Sequence, residues 1–213
     1  MIVDERMTTY INSLDTENSA FLENLEREAM KAFVPIIRRE MQSFLKAILA
    51  IKQPLKILEV GTAIGFSALL MCENTAAQCH ITTIENYQER IPLAKENFRQ
   101  ANYEQKVTLL EGDANDILKE LDGPYDFIFM DAAKGQYVKF LPEVVRLMEK
   151  GAVLISDNVL QDGDIIESHF AIERRNRTIH KRMRDYLYQI KHHQQLTTSI
   201  IPLGDGVTLS VKR

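Results

Sequence analysis

From Thr8 to Ala50, apolar residues recur at helical spacing. Phe21, Leu22, Leu25, Ala29 and Phe33 make one stripe, Val34-Pro35 breaks it, and Met41, Phe44, Leu45, Ile48 and Leu49 make another. The spacing predicts a helix up to the break and a second helix after it. Beyond residue 55 the pattern becomes short β-branched runs alternating with amphipathic segments. KILEVG, HITTIE, KVTLLEGDA, YDFIFMD and AVLISDN read as strands, and FSALLMCEN, YQERIPLAKENFRQAN, DILKEL and YVKFLPEVVRLME as helices, the last interrupted by Pro142. Strand and helix alternating at this spacing predict right-handed βαβ units, hence an α/β chain whose mostly parallel sheet carries helices on both faces. A charged helix is expected from about Ile172 to Lys191. After it, LTTSIIPL and VTLSVKR flank Gly204-Asp205-Gly206, a turn that predicts an antiparallel C-terminal hairpin at the sheet edge.

Composition narrows this only slightly. The chain has 213 residues, 45% hydrophobic and 26% charged, which suits a single domain over 1–213, with N-terminal helices in 1–50 and a core in 55–213. A net charge of -4 is too small to imply a polyanionic partner on its own. Cys72 and Cys79 lack metal-ligand spacing and read as structural thiols in a reducing compartment. The first residues are acidic and polar where a signal peptide needs a basic and then an apolar run, and no window has the ~18 apolar residues of a membrane span. A cytoplasmic protein without a membrane partner is the expectation. His80, His169, His180, His192 and His193 form no ligand set.

In open α/β sheets ligands sit beyond the carboxyl ends of the strands, where the strand order reverses. The first strand runs into LEVGTAIGFS, where Gly61 and Gly65 let a ligand approach the backbone or simply make a tight turn. The second ends on Glu85, placed as nucleotide-binding folds place the acid that takes ribose hydroxyls. The third ends at EGDA, putting Asp113 and Ala114 on the same rim. Glu-x-Gly-x-x-x-Gly, from Glu59, is not the Gly-x-Gly-x-x-Gly of dinucleotide sites. That disfavours a dehydrogenase and favours a nucleoside cofactor without phosphates.

LEVGTAIGFSALLM, Glu85, GDA, DAAKGQY and SDNVL together resemble the class I S-adenosylmethionine methyltransferases, and within them the metal-dependent O-methyltransferases that include the catechol and caffeoyl-CoA enzymes. The resemblance implies a Rossmann-like fold with a seven-stranded sheet. It also implies that Glu59, Gly61, Thr62, Ser67, Glu85, Asp113, Ala114 and Asp131 line the cofactor site, with Met41 approaching it. A homodimer joined through the N-terminal helices is implied too.

Neighbouring strands lie about 4.8 Å apart. If the strands ending at Asp131 and Asp157 are adjacent, their carboxylates converge, and with Asn158 they offer three hard oxygen ligands for Mg²⁺ or a similar cation. The alternative is that each aspartate caps the turn after its strand. The resemblance makes Asp131, Asp157 and Asn158 metal ligands and Lys134 a helper in deprotonating the acceptor. Ala133 departs from the Asp-Ala-Asp-Lys of caffeoyl-CoA enzymes, and the chain has no tryptophan.

For the acceptor, IERRNRTIHKRMRDY carries Arg174, Arg175, Arg177, Lys181, Arg182 and Arg184, either a phosphate track or a solvated helix face. With DAAKGQY, DNVL and IIPLGDG, this segment resembles the bacterial tRNA 5-hydroxyuridine methyltransferases, which make 5-methoxyuridine at the wobble position. The implied partner is a tRNA anticodon loop. A small catechol-like acceptor is the rival within enzymes, and an S-adenosylmethionine-sensing module the rival outside them.

Overall fold

A computed structural model describes residues 3–168 and 170–213; Met1, Ile2 and His169 lie outside them. Among the described residues the strands are β1 (Lys56–Val60), β2 (His80–Glu85), β3 (Val107–Glu111), β4 (Tyr125–Met130), β5 (Met148–Ser156), β6 (Leu196–Ile201) and β7 (Val207–Lys212). They form one seven-stranded sheet in the order β3-β2-β1-β4-β5-β7-β6. The first five strands run parallel, and β7 pairs antiparallel with both β5 and β6. The chain leaves β1 in one direction for β2 and β3 and returns beside β1 with β4, so the order reverses between β1 and β4.

Successive strand side chains point to opposite faces, and both faces are buried, which is why these strands read as nearly unbroken apolar runs. Ile57, Phe127, Phe129 and Ile155 face the helices α2 (Ala20–Lys31), α3 (Arg39–Lys52), α4 (Phe66–Glu73) and α5 (Ile91–Gln100). Leu58, Val60, Ile128, Met130 and Leu154 face α6 (Ala114–Glu120), α7 (Tyr137–Leu147) and α8 (Arg177–Lys191).

Several boundaries differ from expectation for local reasons. The N-terminal segment before Val34 is two helices, α1 (Glu5–Ser13) and α2, rather than one. Each carries its own N-cap: Asp4 accepts from the backbone of Arg6 and Met7, and Ser19 from Leu22. Helix α7 runs straight through Pro142. A proline inside a helix costs about 3 kcal/mol, and here burial of Phe140, Leu141, Val144 and Val145 along the same helix offsets it. Helix α8 begins at Arg177 rather than near Ile172, and Arg177 donates from its side chain to the carbonyls of Ile172 and Phe170 in the segment before it.

Candidate functional site

A cavity of about 770 Å³ opens over the carboxyl ends of the parallel strands at the reversal point. Its wall is set first by glycine. Gly61, at φ +104°, closes against β4 so tightly that a Cβ would lie 2.1 Å from the carbonyl oxygen of Asp131. The expectation that this glycine clears room for a ligand is therefore corrected in part. It lines the cavity, but what approaches its backbone is the next strand. Gly65 likewise makes room for the Phe98 ring, which a Cβ would meet at 2.6 Å.

The polar groups on the β1–β3 side are already held by the protein. Glu59 is fully buried, accepting from the hydroxyls of Ser67 and Thr83, and Thr62 shares a hydrogen with Thr83. Burial pushes the Glu59 carboxyl up to about 7 against those two hydrogen bonds. Thr62 and Ser67 line the cavity, while Glu59 supports them from beneath. Glu85 faces the cavity and accepts from the backbone N–H of Ala63 at 2.7 Å and of Asn86 and Tyr87 at 2.9 Å. A carboxylate has about four acceptor sites, so one remains for a ligand hydroxyl. Asp113 caps α6 through the backbone of Asn115, the bond that chiefly holds its carboxyl below the usual range, and Ala114 opens that helix. Both stand on the cavity wall. Met41 does not: it is 2% exposed and packs in the core of α3.

The β4–β5 side is built differently. Met130 pairs with Ser156, and the N–H of Asp157 continues the ladder by donating to the carbonyl of Met130 at 3.0 Å. Asp131 and Asp157 thus stand side by side, one step past their strands. Burial raises both carboxyls above the usual range; the charge of Asp131 adds to this at Asp157, and Lys134 opposes it at both. Asn158 follows in a left-handed conformation that asparagine tolerates, φ 57°, and lines the same cavity. Asp205, in the turn between β6 and β7, is a further acid beside Asn158. Its carboxylate takes Arg38 at 2.8 Å, and burial pushes its carboxyl up to about 6. Arg38 also reaches Asp162, at 3.5 Å.

Two carboxylates one step past adjacent strands and an amide on the same cavity offer the oxygen donors that a hard divalent cation takes, so these residues fit one. No cluster of three or more carboxylate, histidine or cysteine ligands exists among the described residues. Water and acceptor oxygens would have to complete the shell, as Mg²⁺ commonly accepts. Lys134 sits in a 3-10 turn, Lys134–Gln136, and borders both this cavity and a second one of about 240 Å³ lined in part by Asp164, Asn176 and Ile179.

The basic strip is exposed along α8 and the turn before it, but most of it has partners within the chain. Arg182 donates to the carbonyl of Gly135, Arg184 to that of Glu167 and Arg177 to those of Ile172 and Phe170. Lys181 pairs with Asp185 and Arg175 with Glu173. Arg174 is exposed in the same turn.

Three comparisons bear on this geometry. A profile described as O-methyltransferase matches residues 12–213. A catechol O-methyltransferase of Mycobacterium tuberculosis is 30% identical over 131 residues, 61% of this chain and 60% of that protein. The match therefore spans less than two thirds of that relative. A solved Staphylococcus aureus protein, described as a candidate caffeoyl-CoA O-methyltransferase, is 31% identical, with a TM-score of 0.90 over 99% of this chain and 100% of that one. An O-methyltransferase from Bacillus cereus solved with SAH shares the fold at 22% identity and a TM-score of 0.86, over 98% and 97%.

Proposed function

The chain belongs to the O-methyltransferase family, and from that premise we propose that it transfers the methyl group of S-adenosylmethionine to an acceptor hydroxyl held beside Asp131, Asp157 and Asn158. The observation that carries this reading is the pairing of a nucleoside-sized cavity with two adjacent carboxylates at its far wall. The SAH bound to the Bacillus cereus protein supports the choice of donor. Glu85 takes a ribose hydroxyl with its remaining acceptor site, and Asp113 and Ala114 present the start of α6 to the adenine.

Asp131, Asp157 and Asn158 would hold Mg²⁺ or a similar cation, which lowers the pKa of a bound hydroxyl and fixes its oxygen. Lys134, on the border of the two cavities, helps deprotonate the acceptor: its ammonium charge favours the oxyanion while the proton passes to water. The acceptor proposed is the 5-hydroxyuridine of a tRNA wobble position, whose 5-hydroxyl and 4-carbonyl are vicinal oxygens, with Arg174 and the exposed α8 arginines along the RNA backbone. A small catechol-like acceptor is the second reading. It is favoured by the internal partners of Arg175, Arg177, Lys181, Arg182 and Arg184 and by the resemblance to a catechol enzyme.

Replacing Arg174 and Arg175 with Glu separates the two. Loss of about tenfold or more in tRNA methylation with catechol methylation retained supports the RNA acceptor, whereas equal retention of both sinks it. As for assembly, α1 buries none of its residues and exposes Met7, Tyr10 and Ile11 on one stripe that its C-cap Leu14 continues, which supports a homodimer through the N-terminal helices. Both cysteines are free thiols, in keeping with the reducing cytoplasm, and no described helix is long and apolar enough to cross a membrane.

A further inference from the structure

We propose that Tyr137 is a positioning residue that sets the spacing of Asp131 and Asp157 by tying together the backbones that carry them. Its ring is 0% exposed, at the first residue of α7, directly after the turn that carries Lys134. Its hydroxyl lies 3.1 Å from the carbonyl oxygen of Met130 and 3.1 Å from that of Asp157, and it accepts from the N–H of Ala132 at 3.3 Å. Those groups belong to the residue before Asp131, the residue after it, and Asp157 itself. One phenol therefore bridges the ends of β4 and β5 where the two acids leave the sheet.

The ladder bond from Asp157 to Met130 already joins the strands, but it ends there. Beyond it stand a half-buried and a buried carboxylate, Asp131 and Asp157, and the backbone turns that hold them would splay without a tie. The phenol has one hydrogen to share between two carbonyls and a lone pair for Ala132, which matches the three groups around it. Its orientation is fixed in turn by Tyr186, packed edge-on with centroids 5.3 Å apart and an interplanar angle of 75°. The Tyr186 hydroxyl bonds the side chain of Ser156, the last residue of β5. Phenylalanine at 137 would fill the same space and keep the edge contact while removing only the tie.

Tyr186 supplies the control, since Y186F also removes a buried hydroxyl but touches no backbone group of the two acids. The proposal rests on the cation reading for one of its readouts and is independent of it for the other. In the first, calorimetric titration with Mg²⁺, Y137F is expected to weaken cation binding about tenfold, the size of effect seen when groups supporting metal ligands are removed. Affinity for SAH should stay within twofold, and Y186F should leave the Mg²⁺ titration unchanged. In the second, amide hydrogen exchange, the N–H of Ala132 is expected to exchange at least tenfold faster in Y137F than in Y186F. Incorporation of 4-aminophenylalanine at 137, whose nitrogen returns donors for the two carbonyls and a lone pair for the N–H of Ala132, should restore both readouts, and it serves as the folded probe if Y137F is unstable. Matching behaviour of Y137F and Y186F in exchange overturns the inference. If the wild-type protein takes up no divalent cation, the metal reading fails instead, and the exchange ratio alone decides the role of Tyr137.

Discussion

The two halves of the cavity treat their charged groups in opposite ways. Under β1–β3 each acid is matched by donors from its own chain: Glu85 by three backbone N–H groups, Asp113 by Asn115, and Glu59 by two hydroxyls. Beyond β4 and β5 the acids stand on adjacent strand ends, with Lys134 and the N–H of Asn158 set against Asp131 and Asp157 and Arg38 against Asp205. Satisfied groups hold one shape before a ligand arrives. Under-compensated ones favour whatever brings the missing charge. The first half is thus a preformed cradle, and the second gains most from what binds it.

Asp157→Asn attacks the contrast where it is greatest. On the proposed function, methyl transfer is expected to fall about 10³-fold, because the charge that would hold the cation is lost. SAH binding measured by calorimetry should hardly change, and parallel loss of both would mean that the halves are not separate. Gly61→Ala strikes the seam between them, forcing a Cβ onto the Asp131 carbonyl at a positive φ. A loss on the order of 2 kcal/mol is expected in denaturant unfolding, with cofactor and acceptor functions weakened together.

Glu59→Gln is the mildest change. In the folded chain the Glu59 carboxyl is raised from its usual 4.5 to about 7, chiefly by burial, so it keeps a proton that the unfolded chain releases. Its stabilising contribution is complete below about 4.5 and is lost as pH rises to 7. A glutamine can keep the hydroxyl chain by reversing the direction of the Thr62–Thr83 bond. The expected result is a smaller fall in Tm between pH 5 and pH 8, with little change in cofactor affinity; an unaltered slope would remove Glu59 as its source.

The sheet was legible because its strands are buried on both faces and read as apolar runs, and because each parallel crossover needs a helix between strands. Adjacency of Asp131 and Asp157 followed once β4 and β5 were taken as neighbours, a relation the register bears out. Contacts that depend on distant pieces of chain were not legible. Nothing near Gly61 announces that the Asp131 backbone will press against it. Likewise Asp205 is 48 residues past Asp157 by number, and Arg38 precedes the core altogether. Met41 sits at a helical core spacing, and core is where the structure keeps it. Tyr137 was visible as the last letter of DAAKGQY, but its value lies in an hydroxyl aimed at carbonyls, which no residue pattern encodes.

The placement of β7 between β5 and β6 has a consequence for the order of events during synthesis. β6 is made first yet joins the sheet only through β7, and the turn bearing Asp205 is pinned by that same pairing. A nascent chain can therefore complete the β1–β3 half of the cavity while the β4–β5 half still lacks Asp205 and its hold on Arg38. Competence at the second half arrives late and all at once, with the pairing of β7 against β5, a long-range contact of the kind that slows folding.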